Sequence, residues 1–304
     1  MTEQSVLILD GGMGRELNRR GAPFRQPEWS ALAMIETPEI VKTVHQDYIQ
    51  SGAQVITTNS YSLVPFHIGD KRFTEQALAL AERSGQVARD AAQGTEAKVA
   101  GSLPPLFGSY RPDLYDAEHV RDIATPLIEG LKTPIDFWLA ETQSLIAESL
   151  ALKGLVKELT DDEKPFWVSF TLEDSEPTSE PCLRSGESVQ EAVNTMAKAG
   201  VSAILFNCCQ PEVIEQALIV AADTLKKLNL TEIRLGAYAN AFPPQPKDAT
   251  ANDGLDELRA DLTPESYIPW ADKWRACGAS VIGGCCGIGP EHIAKLSDHF
   301  KARD

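Results

Sequence analysis

The stretch Val281-Ile282-Gly283-Gly284-Cys285-Cys286-Gly287-Ile288-Gly289-Pro290-Glu291-His292-Ile293 decides how this chain is read. A short apolar run ends in two glycines, and two adjacent cysteines follow. A third glycine and a Pro-Glu pair suited to a helix start come next. Neighbouring residues on a strand normally point to opposite faces. Flanking glycines relax that constraint, because they permit a sharp turn and a close approach. Both thiols can then converge on one point. Converging thiolates suit a soft metal, zinc first. Two ligands do not complete a site, so other parts of the chain must supply at least one more.

Working outward, Val281–Gly283 is the last of eight short apolar runs. The others are Val6–Leu9, Val55–Thr58, Lys98–Gly101, Phe137–Leu139, Phe166–Phe170, Ala203–Phe206 and Arg234–Tyr238. Between them, apolar residues recur at helical spacing, as in Pro38–Ser51, Thr74–Gln93, Glu141–Lys153, Ser188–Ala199, Glu212–Leu228 and Pro264–Cys277. Eight strand–helix alternations predict an α/β fold, the (β/α)8 TIM barrel. The strands are mostly unbroken apolar runs, as strands buried on both sides should be. A doubly wound open sheet is the fallback, weakened because no Gly-rich dinucleotide fingerprint follows the first run. No internal repeat, low-complexity tract or linker interrupts the pattern, so residues 1–304 read as a single barrel domain.

Unusual residues cluster just after the strands. They are Asp10-Gly11-Gly12-Met13-Gly14, Thr57-Thr58-Asn59-Ser60-Tyr61, Gly101-Ser102-Leu103-Pro104-Pro105, Ala140-Glu141-Thr142, Asn207-Cys208-Cys209, Tyr238-Ala239-Asn240 and Gly284-Cys285-Cys286. In a barrel these ends form one rim, where active sites of the fold lie. Strands six and eight are separated by one strand, so Cys208 or Cys209 can meet Cys285 and Cys286. Alternation gives Cys208 and Cys209 opposite facings, and spacing alone does not choose between them. Two long connections, Leu106–Arg121 and Ala241–Leu262, leave the same rim. Such loops commonly cover a substrate, although the second reads equally well as a disordered insertion.

The formal net charge of -16 argues against nucleic acid, whose phosphates demand a basic surface. No apolar stretch approaches the roughly 20 residues of a membrane helix. The first residues show no signal peptide. The chain therefore reads as cytoplasmic. In a reducing compartment its six cysteines are metal ligands, reactive thiols or buried small residues before they are disulfides. Cys182 and Cys277 read as structural.

Three thiolates suit a zinc site with an open fourth position. In a simple formal count, three thiolates and one zinc carry a net charge of about -1. Such a metal activates water poorly. It suits the binding of a substrate thiol as thiolate. A structural zinc, or inert buried cysteines, is the plainer alternative. Asp10 and Glu141 are rim carboxylates that could hold a substrate ammonium or work as an acid/base pair. Their plainer readings are a turn residue and a first-turn helix acid. Backbone N–H groups at Gly11 and Gly12 make an anion site. Ammonium and carboxylate receptors side by side describe an α-amino acid pocket. The five histidines follow no ligand spacing, and His292 reads as a capping or surface residue. Trp138 reads as core.

Taken together these motifs resemble the homocysteine S-methyltransferases, which include S-methylmethionine-dependent and betaine-dependent enzymes and the homocysteine module of methionine synthase. The resemblance rests on Leu9-Asp10-Gly11-Gly12-Met13-Gly14-Arg15-Glu16-Leu17, on Asp136-Phe137-Trp138-Leu139-Ala140-Glu141-Thr142, on Phe206-Asn207-Cys208 and on Gly283-Gly284-Cys285-Cys286-Gly287 with Pro290-Glu291-His292-Ile293. The strand-end stretches at 57–61, 101–105 and 238–240 match as well. It spans nearly the whole chain in order. The resemblance implies zinc-dependent methyl transfer to the thiol of L-homocysteine, giving methionine. It also implies Zn2+ on Cys208, Cys285 and Cys286, with Cys209 an extra thiol. Asp10 and Glu141 match amino-group receptors, and Gly11 lies where backbone N–H groups meet the carboxylate. Tyr61 and Asn240 match residues lining the zinc and thiol region. The 304 residues hold no cobalamin or folate module and no long C-terminal extension like that of the betaine enzymes. The expected donor is therefore S-methylmethionine, with S-adenosylmethionine weaker. The expected partners are these small molecules, with no nucleic acid or membrane, and a homo-oligomer is compatible. Alternatives are a betaine-like donor, another thiol or selenol acceptor, and a zinc-binding or redox-sensing barrel without catalysis.

Overall fold

The structure is a computed structural model that describes residues 5–160, 163–175, 180–246, 249 and 257–302. Eight parallel strands form one sheet: β1 (Leu7–Ile8), β2 (Val55–Thr57), β3 (Lys98–Leu103), β4 (Phe137–Gln143), β5 (Phe166–Phe170), β6 (Ala203–Asn207), β7 (Arg234–Tyr238) and β8 (Ala279–Ile282). The sheet order is β1-β8-β7-β6-β5-β4-β3-β2. A parallel bridge from Leu9 to Val55 joins the two ends into a ring. The chain is a (β/α)8 barrel, as the alternation predicts.

The covering helices are α1 (Met13–Arg19), α2 (Ser30–Glu36), α3 (Pro38–Gln50), α4 (Pro65–Ile68), α5 (Asp70–Ala92), α6 (Val120–Leu131), α7 (Ile146–Leu159), α8 (Val189–Lys198), α9 (Pro211–Leu228), α10 (Pro264–Ala276) and α11 (Pro290–Lys301). Several have clear local causes. Proline stands in the first turn of α3, α9, α10 and α11, where its missing N–H costs nothing. Thr263 and Ser266 form a reciprocal cap on α10. Along α5, Phe73, Ala77, Leu80, Ala81, Ser84 and Ala88 are buried at three-to-four spacing, so one stripe faces the barrel.

Side-chain alternation sorts the strands into two cores. Leu9, Val55, Ala100, Phe137, Leu139, Leu205 and Val281 fill the barrel interior. Trp138, Ala140, Ile204 and Phe206 join the larger core beneath the helices. Trp138 is fully buried. Most boundaries shift by a few residues from the sequence expectation, and one shift bears on the site. The helical pattern from Glu141 begins instead at Ile146, and β4 runs on to Gln143. Glu141 is thus a strand residue with the parity of Phe137 and Leu139, and it points into the barrel. Among the described residues, no helix is long and apolar enough to cross a membrane.

Candidate active site

The cysteines are brought together by two backbone turns. On β6, Ala203 and Leu205 face the interior, and Asn207 follows with the same parity. Its buried amide accepts from the Thr142 N–H at 3.0 Å and the Ser169 hydroxyl at 2.7 Å, and donates to Thr142 Oγ1 at 2.9 Å. The backbone then enters the left-handed region at Cys208, with φ 54°. That turn breaks the alternation. Cys208 stays on the rim, while Cys209 is buried in the outer core. At the other turn, Gly287 adopts φ 84°. The Cys285 N–H donates to Ala239 O at 2.9 Å, and Cys286 O accepts from the Ala241 N–H at 2.8 Å.

The Sγ atoms of Cys208, Cys285 and Cys286 all lie within 4.8 Å of one another. Cys182 and Cys277 are outside this group. Hydrogen bonds from Cys208 and Cys285 hold the Cys286 thiol well below its ordinary pKa. The Cys208 hydrogen bond, the Cys286 hydrogen bond and burial push Cys285 well above it.

The turn after β1 packs onto this loop with no room for a side chain. A Cβ on Gly12 would lie 2.6 Å from Cys285 O, and one on Gly11 2.2 Å from Ile288 O. The Gly12 N–H is taken by Ile288 O at 3.0 Å. The Gly12 N–H is thus already engaged, while Gly11, Gly12, Met13 and Gly14 all line the cavity.

Two carboxylates stand on the same rim. Asp10 accepts from the Thr57 N–H at 2.7 Å and Thr57 Oγ1 at 3.1 Å. Glu141 accepts from Ser102 Oγ at 2.5 Å and from the Tyr238 hydroxyl at 3.4 Å. Burial raises Asp10 to about 8, against the pull of the Thr57 N–H and with a push from Glu141. Burial raises Glu141 to about 7, opposed by the Ser102 hydrogen bond and reinforced by Cys208. Two acids kept partly neutral in a cavity are poised for a cation that would restore both charges.

A cavity of about 200 Å³ holds Asp10, Gly11, Tyr61, Glu141 and the three cysteines on one wall system. The Tyr61 hydroxyl lies 2.6 Å from Ser109 Oγ. Asn240 is fully buried and is not among the residues lining this cavity. Its Oδ1 accepts from the Phe242 N–H at 3.3 Å, so it shapes the turn after β7. His292 is buried rather than exposed; its Nδ1 accepts from the Gly289 N–H at 3.3 Å and caps α11.

The first long loop covers the cavity through Ser109 and Tyr110, as expected. Of the second, Phe242 and Gln245 line the cavity; residues 247–248 and 250–256 lie outside the described residues. Sequence reasoning assigned no role to Thr57, Ser102, Tyr238 or Asn207, which hold the carboxylates and the Cys208 turn. All four sit in the strand-end motifs, so their place was available, while their partners on other strands were not.

Comparison with known proteins points the same way as the sulfur and carboxylate geometry. Residues 7–300 match the homocysteine S-methyltransferase family. A homocysteine S-methyltransferase of Escherichia coli is 31% identical, covering 97% of this chain and 96% of the relative. A selenocysteine Se-methyltransferase of Brassica oleracea is 28% identical over 97% of this chain and 89% of its own. The crystal structure of the homocysteine methyltransferase MmuM from Escherichia coli, metallated form, superimposes with a TM-score of 0.75 at 31% identity, covering 98% of this chain and 97% of that one. With a family match from the first strand to the last helix, the chain belongs to the homocysteine S-methyltransferase family.

Proposed function

We propose that the protein transfers a methyl group from a sulfonium donor to the thiol of homocysteine, S-methylmethionine being the donor and methionine the product. The observation that carries this reading is a group of three cysteine sulfurs beside two buried carboxylates in one cavity. The donor set fits zinc. Three sulfurs within 4.8 Å are close to the spacing that Zn–S bonds of about 2.3 Å need. Cys208, Cys285 and Cys286 would hold the ion. Bound there, Zn2+ supplies the acidity that turns a substrate thiol into a thiolate near neutral pH.

The protein's own residues do the rest. Asp10 and Glu141 receive the ammonium between them, and its charge draws down two raised pKa values, so binding releases protons. Ser102, Thr57 and Tyr238 hold both carboxylates in place, which fixes the distance from ammonium to sulfur. The Gly11 side of the turn receives the carboxylate. Tyr61 and Tyr110 close the cavity against water, and Asn240 positions the turn that carries Phe242 over it. Much of the rate then comes from orientation of thiol and methyl donor. A reducing, cytoplasmic setting suits three free thiols.

The test is a donor panel with homocysteine as acceptor, followed by acceptor competition. S-methylmethionine should give methionine with the highest kcat/KM, and homocysteine should exceed selenocysteine. Methyl transfer to selenocysteine ahead of homocysteine would reassign the acceptor. Zinc bound at one per chain with no transfer to any thiol or selenol would leave a metal-binding barrel without this activity.

A further inference from the structure

The loop after β3 reaches across the rim to the cysteine contributed by β6. Tyr110 is buried, and its backbone lies in the left-handed region at φ 66°. That conformation is unfavourable for a bulky residue and needs surrounding contacts to hold it. The contacts are specific. The Tyr110 hydroxyl is 2.9 Å from Cys208 Sγ and 3.1 Å from Cys208 O. The carbonyl has another donor, Thr171 Oγ1 at 3.2 Å. The Tyr110 proton is therefore able to move to sulfur without leaving that carbonyl orphaned.

A second layer backs the ring. The guanidinium carbon of Arg184 lies 5.1 Å from the Tyr110 ring centroid. Arg184 and Asp174 form an ion pair at 3.0 Å with both side chains 2% exposed. Arg184 also donates to the carbonyls of Gln245 at 3.0 Å and Pro246 at 2.6 Å. Asp174 accepts from the Gln210 N–H at 3.1 Å and the Gln245 N–H at 3.3 Å. One buried pair thus ties together the segments after β5, β6 and β7, and its cation sits over the phenol. A cation on the ring face draws electron density from it and makes the O–H a better donor.

We infer that Tyr110, held by the Arg184–Asp174 pair, is a positioning residue whose hydroxyl donates to the Cys208 thiolate and sets how much charge that sulfur gives a bound metal ion. This rests on the reading of Cys208 as a ligand. With three thiolates the ion carries a formal surplus of negative charge. A hydrogen bond to one sulfur withdraws part of it and favours coordination of a fourth, substrate thiolate. Partners of this kind around metal ligands commonly change affinity by about 10- to 100-fold when removed.

The experiment uses Co2+ in place of zinc as a spectroscopic probe, together with zinc competition against a chromophoric chelator. The proteins are wild type, Tyr110→Phe, and a form with 3-fluorotyrosine at position 110. Wild type should bind one equivalent of cobalt with sulfur-to-metal charge-transfer bands. In Tyr110→Phe those bands should move to lower energy, because sulfur loses its hydrogen bond, and zinc should bind about 10- to 100-fold more weakly. Fluorotyrosine keeps the hydroxyl and strengthens it as a donor, so its bands should move to higher energy. A purely space-filling Tyr110 would move neither band. Unchanged bands and zinc affinity in Tyr110→Phe would overturn the inference. If Tyr110→Phe does not fold, the fluorotyrosine protein decides: a shift to higher energy supports the inference and no shift overturns it. Wild type that binds no cobalt or zinc would instead overturn the ligand reading itself, and this inference with it.

Discussion

Glu141 shows how much of this site is fixed by single residues. Its carboxylate is poised near neutrality by burial, and Ser102 and Tyr238 aim it. Losing a charge-assisted hydrogen bond costs about 1.5–3 kcal/mol. Glu141→Gln should therefore raise the homocysteine KM by roughly 10- to 100-fold, with zinc content unchanged. An unaltered KM in steady-state assays would remove Glu141 from ammonium recognition. Cys285→Ala addresses the other half of the site. It should lower bound zinc to a small fraction of one per chain and abolish methyl transfer, while the far-ultraviolet circular dichroism stays that of the wild type. Full metal content in that variant would show that the ion sits elsewhere. Asp10, Glu141 and the paired cysteines were legible because polar and thiol residues are conspicuous after apolar runs. Their supports were not: Thr57 and Ser102 are ordinary residues until the barrel places them 47 and 39 positions away from the acids they hold.

At the scale of elements, the ends of β4 and β6 depend on one another. The Cys208-or-Cys209 question could not be answered from alternation, because alternation stops at Cys208. The answer lies in a left-handed residue, and nothing in the residue type Cys announces that conformation. Likewise the helix expected from Glu141 begins at Ile146, because Asn207 of β6 captures the Thr142 backbone. Thr142 itself has φ 57°, so a side chain on one strand end holds a turn two strands away in the sheet. Replacing Asn207 with Ala would leave the buried Thr142 N–H and the Ser169 hydroxyl without this acceptor. Each buried orphan costs about 1–3 kcal/mol. With an unfolding entropy of about 2.1 cal/mol/K per residue, a chain of this size should lose roughly 3–9 °C in Tm. Differential scanning calorimetry reads this directly. An unchanged Tm would mean that the two strand ends are not coupled through Asn207.

The whole barrel was legible because eight apolar runs alternate with helical stripes, a pattern that few other folds can absorb. What the pattern does not reveal is which buried polar groups the finished core tolerates. His45 on α3 is such a group. It is fully buried, neither ring nitrogen has a hydrogen-bond partner among the described residues, and burial lowers its pKa from 6.5 to about 4. A histidine kept neutral in the fold and free to charge in the unfolded chain contributes stability that is present above pH 6.5. That stability is lost as the pH falls toward 4. Glu148 has the opposite sign. Burial raises it from 4.5 to about 7, although it accepts from the Leu106 N–H at 2.7 Å. Its contribution is present below pH 4.5 and fades as the pH rises through 7. The two effects oppose each other across the same interval, so the wild-type curve alone does not separate them. His45→Leu does, because its packing change is the same at every pH. From pH 6.5 to 5 the wild type should lose about 2 kcal/mol more than the variant, from 1.36 kcal/mol per pH unit. That corresponds to a difference of roughly 3 °C in how far Tm falls. Parallel Tm-against-pH curves for the two proteins would show that His45 takes up its proton in the folded barrel as easily as in water, and that the core around α3 admits solvent.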